Sequence, residues 1–261
     1  MMTDFDLSIA ADADALSLSA AEQFVELARA AVLTRGRFAV ALSGGSTPRR
    51  LYERLAAPPF QDRVDWTRVE VFWGDERGVP PDHPDSNFHM ASAALLDRVR
   101  IPRQRIHRMR AETPDRDAAA RDYQVEIARA FGVDEAGRPP SLDLVLLGMG
   151  GDGHTASLFP GAEALREGRR WAVSVEAPQR PPPSRITLTA PILNRAWEIR
   201  VLVAGADKAA TLRAVLQGPH EPEHRPIQLV APENGRMVWL VDAAAASALG
   251  PAAAAVAGGA R

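Results

Sequence analysis

Apolar residues along the chain fall into short unbroken runs, separated by longer stretches in which they recur every three or four positions. Phe38-Ala39-Val40-Ala41-Leu42 is one run, Val69 to Trp73 a second and Leu142 to Leu147 a third. Ile199 to Val203 and Val238 to Val241 repeat the pattern. Apolar runs without alternation predict strands buried on both faces. Between them, Phe24, Leu27, Ala28 and Ala31 follow helical spacing, with Ser19 and Glu22 as a capping-box start. Asn87 to Val99 and Pro114 to Phe131 also read as helices. After Leu42 a glycine turn leads to Thr47 as N-cap and Pro48 as the first helical residue. Strands alternating with helices predict an α/β fold: a mostly parallel sheet flanked by helices on both faces. Pro178 and Pro181 to Pro183 mark an exposed connection, and residues 220–226 a polar loop. Neither a repeat of solenoid period nor a break in composition divides the chain. Residues 1–261 therefore read as a single domain, with an Ala- and Gly-rich tail from about 248 to 261 expected to fray.

Composition narrows the chemistry. Lys and Arg number 31 against 33 Asp and Glu, a formal charge of -2, so no global field draws the protein to nucleic acid or membrane. An anionic partner has to be met by a local cluster of cations. Cys is absent, which excludes disulfides, thiolate metal sites and a cysteine nucleophile. The longest apolar run falls far short of the roughly 20 residues that span a bilayer. The N-terminus is acidic and lacks a signal-peptide pattern, so a soluble, cytoplasmic protein is expected.

Three polar motifs follow directly on three predicted strands, where open parallel sheets bind their ligands. Ser43-Gly44-Gly45-Ser46-Thr47-Pro48 offers main-chain amides, two hydroxyl types and a helix N-terminus to a phosphate or carboxylate; otherwise it is a plain strand-to-helix turn. It lacks the Lys-Ser/Thr of a nucleotide P-loop. Asp75-Glu76-Arg77 is either a solvated loop of local ion pairs or a site element in which Arg77 grips an anion. The third motif runs from Gly148 to Pro160 and contains a formal G-x-G-x-x-G at Gly148, Gly150 and Gly153. Pro160 and Gly161 follow too soon for the long helix of a dinucleotide site, so NAD is excluded. The loop presents Asp152 and His154, and a histidine placed there is a candidate general base. Asp152 either orients it or shapes the loop. Arg185, after the proline segment, and Lys208, after the strand ending at Val203, are surface cations or further parts of a local positive field.

These motifs resemble those of the 6-phosphogluconolactonases. SGGSTP at 43–48, WGDER at 73–77, DSN at 85–87, LGMGGDGHTASLFPG at 147–161, RITLTAPILNRA at 185–196 and VAGADKA at 203–209 occur in that family's order, across most of residues 38–240. The resemblance implies a NagB/RpiA-like fold and hydrolysis of 6-phosphogluconolactone in the oxidative pentose phosphate pathway. It also implies no metal or organic cofactor. By the same resemblance, His154 is the general base with Asp152 beside it. Arg77 and Lys208 help to hold phosphate, and Ser43, Gly44, Gly45 and Ser46 line the pocket; Thr47, Asp75 and Arg185 are assigned to the same binding site. The partner expected is a sugar phosphate, without nucleic acid or membrane, for a monomer or weak homodimer. Two alternatives stand beside this one. The sister glucosamine-6-phosphate deaminase/isomerases share the glycine turn and a related loop, but Arg77 replaces their aromatic residue and Phe159 stands where their downstream Glu falls. A non-enzymatic sugar-phosphate sensor has no need of His154 and usually adds a nucleic-acid-binding segment.

Overall fold

The computed structural model describes residues 6–177 and 180–250. Six parallel strands form the main sheet in the order β1-β9-β8-β5-β2-β3. They are β1 (Asp6–Ala10), β2 (Phe38–Leu42), β3 (Val69–Trp73), β5 (Leu144–Gly148), β8 (Glu198–Val203) and β9 (Arg236–Asp242). The apolar runs at 38–42 and 69–73 are strands from end to end. Every side chain of β2 is buried, so the centre of the sheet is covered on both faces. A second, antiparallel sheet of three strands, β4 (Asp75–Arg77), β7 (Ser184–Leu188) and β6 (Ala172–Glu176), was not expected from the sequence. Gly74 joins the two sheets: its N–H donates to Leu42 O at 2.9 Å and its carbonyl accepts from Leu188 N at 2.7 Å.

Among the described residues there are seven α-helices, six between strands and one after β9: α1 (Ala13–Arg35), α2 (Ser46–Leu55), α3 (Asn87–Ala91), α4 (Arg116–Phe131), α5 (Ala190–Leu193), α6 (Ala209–Gln217) and α7 (Ala243–Ala246). α1 packs on α2 and on β1, β2 and β9, whereas α4 lies on β6 and β7. Two expected helix starts are displaced. α1 begins well before Ser19, because Asp12 Oδ1 accepts from Asp14 N and Ala15 N at 3.0 and 2.8 Å. Ser19 and Glu22 sit inside the helix and cap nothing. α2 starts at Ser46 with Gly45 as N-cap, so Thr47 is inside the first turn. Pro48 fits there because the first amides of a helix have no intrahelical acceptor. The expected helix from Asn87 to Val99 is shorter: α3 gives way to a π-helical turn at Ser92–Leu96. Pro178 and most of the expected tail (251–261) lie outside the described residues. Among the described residues, no helix is long and apolar enough to cross a membrane.

Candidate active site

The C-terminal ends of β2, β5 and β8, together with the second sheet, open onto one pocket of about 240 Å³. Residues Ser43, Gly44, Gly45, Ser46 and Thr47 line one part of it and Asp75, Arg77 and Arg185 another, with Gly148, His154, Ala156 and Lys208 among the remaining lining residues. The sequence motifs, far apart along the chain, therefore meet at one place. Asp152 is the exception among the expected residues: it stands behind His154 and does not line the pocket.

Local contacts explain each position. Tyr52 on α2 closes the first turn, donating from its hydroxyl to Ser43 O at 2.8 Å and accepting from Ser43 N at 2.9 Å. A Cβ on Gly44 would meet Asn87 Oδ1 at 2.0 Å, so the backbone of this turn approaches the Asn87 amide more closely than any side chain permits. Asp75-Glu76-Arg77 is no solvated loop. It is strand β4, with Asp75 and Glu76 only 6% and 3% exposed. Glu76 accepts from Arg77 N, Asn87 N, Phe88 N and Ser86 Oγ, and so fixes the start of α3. Burial pushes the Glu76 carboxyl above its ordinary pKa, while those backbone donors pull it down.

Asp75 is held at both oxygens, Oδ2 by Ser157 Oγ at 2.6 Å and Oδ1 by Asn87 Nδ2 at 3.3 Å. As an acceptor-only group it offers nothing to a phosphate; what it can accept is a sugar hydroxyl. Arg185, 8% exposed, places Nη1 3.9 Å from Asp75 Oδ2. Burial, with Arg77 and Arg180 nearby, lowers its pKa, and Asp75 opposes that shift. Arg77 Nη1 donates to Asp85 O at 2.8 Å, and Lys208 Nζ pairs with Asp207 Oδ2 at 3.1 Å. Three cations against the single carboxylate of Asp75 line this pocket, a local field opposite in sign to the net charge.

The loop after β5 carries the reactive group. His154 Nδ1 lies 2.5 Å from Asp152 Oδ1. A carboxylate only accepts, so in the neutral ring Nδ1 carries the proton and Nε2 keeps its lone pair. Burial pushes the imidazole pKa below its ordinary value; Asp152 pulls it back and Arg180 reinforces the depression. The imidazole is therefore held towards its neutral form, with the Nε2 lone pair free to accept a proton. Burial alone would raise the Asp152 carboxyl, but the hydrogen bonds and charge of His154, with Arg180, hold it below the usual range. Beyond His154, Ala156 takes a left-handed conformation (φ 47°), which sends Thr155 Oγ1 to Gly148 O and Ser157 Oγ to Asp75. Helix α6 supports the loop through Thr211 Oγ1, which donates to Gly151 O at 2.6 Å. The 3-10 turn at Pro226–Leu229 is tied to it, Ile227 N donating to Gly153 O at 2.9 Å. No group of three His, Asp or Glu side chains is gathered for a metal ion among the described residues.

Arg180, Asn87, Ser157 and Glu76 were not foreseen as site residues. Asn87 was signalled only by the DSN motif, and Ser157 lies in the LGMGGDGHTASLFPG motif, three residues after His154. Arg180, among prolines, carried no signal.

Comparison with known proteins identifies the family. Residues 11–239 match the model of the glucosamine-6-phosphate isomerases/6-phosphogluconolactonase family. The chain belongs to that family. Within it, the chain groups with the 6-phosphogluconolactonases: it is 43% identical over 221 residues to the Synechocystis 6-phosphogluconolactonase, covering 85% of this chain and 88% of that one. The Nostoc enzyme of the same name is also 43% identical, over 84% and 88% of the two chains. The 6-phosphogluconolactonase of Trypanosoma cruzi superposes with a TM-score of 0.82 at 30% identity, covering 95% of this chain and 97% of that one. A monomeric glucosamine-6-phosphate deaminase shares the fold at 20% identity, with a TM-score of 0.77.

Proposed function

We infer that the protein hydrolyses 6-phospho-D-glucono-1,5-lactone to 6-phosphogluconate, the lactone-opening step of the oxidative pentose phosphate pathway. The membership in the 6-phosphogluconolactonases supports the reaction. The observation that carries the mechanism is His154, its Nδ1 held by Asp152 at the wall of a pocket lined by three cations.

Arg77, Arg185 and Lys208, with the amides at the start of α2, hold the phosphate remote from the reacting carbon. Binding energy there fixes the carbonyl over the base. Nε2 of His154 takes a proton from water as its oxygen attacks C1. The carbonyl electrons move onto oxygen, and the resulting anion is met by main-chain N–H groups or a pocket cation. As the carbonyl re-forms, the bond from C1 to the ring oxygen breaks and imidazolium returns its proton to that oxygen. Asp152 stabilises the imidazolium between the two transfers and accepts no proton itself.

A coupled assay that generates the lactone with glucose-6-phosphate dehydrogenase tests this reading, with glucosamine 6-phosphate run in parallel. Lactone turnover is expected; release of ammonia and fructose 6-phosphate without it would refute the assignment. His154→Gln should lower kcat by about two to four orders of magnitude and change KM far less. Turnover near the parental rate would show that His154 is not the base.

A further inference from the structure

The ring of Phe159, itself buried, is shared by three side chains. His154 packs against it with centroids 4.9 Å apart, and the guanidinium carbons of Arg180 and Arg185 lie 4.8 and 5.5 Å from its centroid. Arg185 lines the pocket, whereas Arg180 approaches from the segment between β6 and β7 and reaches the far side of the catalytic loop. Its Nη2 donates to Asp152 Oδ2, and its Nη1 stands 3.5 Å from His154 Nδ1. The main chain of Arg180 is held as well. Its N–H donates to Ala177 O at 2.9 Å, and its carbonyl accepts from Arg185 Nη2 at 3.3 Å. Asp152 is thus gripped at both oxygens, one by the imidazole and one by the guanidinium. A carboxylate held at one oxygen can still swing about its terminal torsion; one held at both cannot.

We propose that Arg180 is a positioning residue for the base: seated on Phe159, it clamps Oδ2 of Asp152, so that Oδ1 holds the Nδ1–H tautomer of His154 and Nε2 stays turned to the pocket. This rests on the reading of His154 as general base. Three charged groups act on the imidazole: Asp152 from its own loop, Asp75 from β4, and Arg180. Arg185 shares the Phe159 ring, and Lys208 lines the same pocket. The Arg180 guanidinium disfavours the imidazolium, so its removal raises the pH at which His154 gains a proton.

The test compares the full-length parent with Arg180→Met and Arg180→Lys. Two quantities are measured: kcat/KM for the phosphorylated lactone against pH, and the His154 titration by NMR of ¹⁵N-histidine-labelled protein, assigned with His154→Gln. In Arg180→Met the acid limb and the NMR midpoint both move up by about half to one pH unit. Its kcat falls by roughly 3- to 30-fold, with KM within about twofold, because the base is displaced while the phosphate grip is intact. Arg180→Lys, which keeps the charge, returns the midpoint towards the parental value. An NMR midpoint and acid limb that stay put in Arg180→Met overturn the proposal even if kcat falls, since mere propping of the loop lowers rate without moving a titration. If His154→Gln turns over at the parental rate, the base assignment fails instead, and the NMR midpoint in Arg180→Met still decides whether Arg180 clamps the pair.

Discussion

Gly150 shows how narrowly one residue governs the base. Its backbone lies outside the left-handed region, so torsion alone does not demand glycine there. Proximity does: a Cβ at this position would sit 1.9 Å from His154 Nδ1 and 2.0 Å from Cε1. The Gly150 N–H also donates to His154 O at 2.8 Å, so the loop cannot simply shift aside without losing that bond. Gly150→Ala should therefore fold normally, push the imidazole off Asp152 and lower kcat by about 100-fold or more. Steady-state kinetics beside a thermal melt check this. A parental melting temperature with parental kcat would show that the ring tolerates displacement.

Elements are joined by a few buried polar contacts. The chain's only two tyrosines do equivalent work: Tyr52 fastens α2 to the end of β2 at Ser43, and the Tyr123 hydroxyl on α4 accepts from Trp73 N at the end of β3. His107 joins β3 to α4. It stacks on Phe72 at 4.6 Å, and its ring nitrogens meet Glu70 Oε2 at 2.8 Å and Glu126 Oε1 at 3.0 Å. Burial disfavours the imidazolium, but the hydrogen bonds and charges of Glu126 and Glu70 prevail and raise its pKa to about 9. The folded state thus binds this proton more tightly than the unfolded chain, whose histidine titrates near 6.5. The stabilisation is complete below about pH 6.5 and disappears as pH rises through about 9, with a ceiling of roughly 3 kcal/mol. Urea unfolding from pH 6 to pH 10 should show that loss in the parent and a flatter profile in His107→Gln. Parallel profiles for the two proteins would remove His107 as the cause.

At the scale of the whole molecule, a protein of net charge -2 concentrates three cations in one pocket. Charge-assisted contacts of this kind are worth about 1.5–3 kcal/mol each, or roughly 10- to 150-fold in kcat/KM. Lys208→Ala and Arg77→Ala should lose that factor on the phosphorylated lactone and little on unphosphorylated gluconolactone. Arg185→Ala should show the same preference with additional loss, because Arg185 also holds Asp75, Phe159 and the Arg180 carbonyl. The ratio of kcat/KM for the two lactones, in parent and variants, measures it. Equal losses on both substrates would move these residues from phosphate binding to folding or to the chemical step.

Five of the six strands of the main sheet, β1 being the one missed, and the motifs at its C-terminal edge were legible in the sequence because both are written locally. An apolar run declares a doubly buried strand, and the glycines, hydroxyls and histidine of a binding loop follow it without interruption. Helix starts were less legible, since several residues compete for a cap: Asp12 prevailed over Ser19, and Gly45 over Thr47. The second sheet stayed hidden because Asp75-Glu76-Arg77 has the composition of an exposed turn, and only pairing with β7, more than a hundred residues later, turns it into a buried strand. Arg180 stayed hidden for the same reason. Nothing in a proline-rich segment shows that its one arginine stacks on Phe159 and meets Asp152, 28 positions earlier. The sequence by itself determined which residues could carry the chemistry, for that depends on residue type and position after a strand. Which of them face the pocket, which stand behind it and which side chain holds the base in place are matters of contact between distant segments, and the tertiary structure alone decided them.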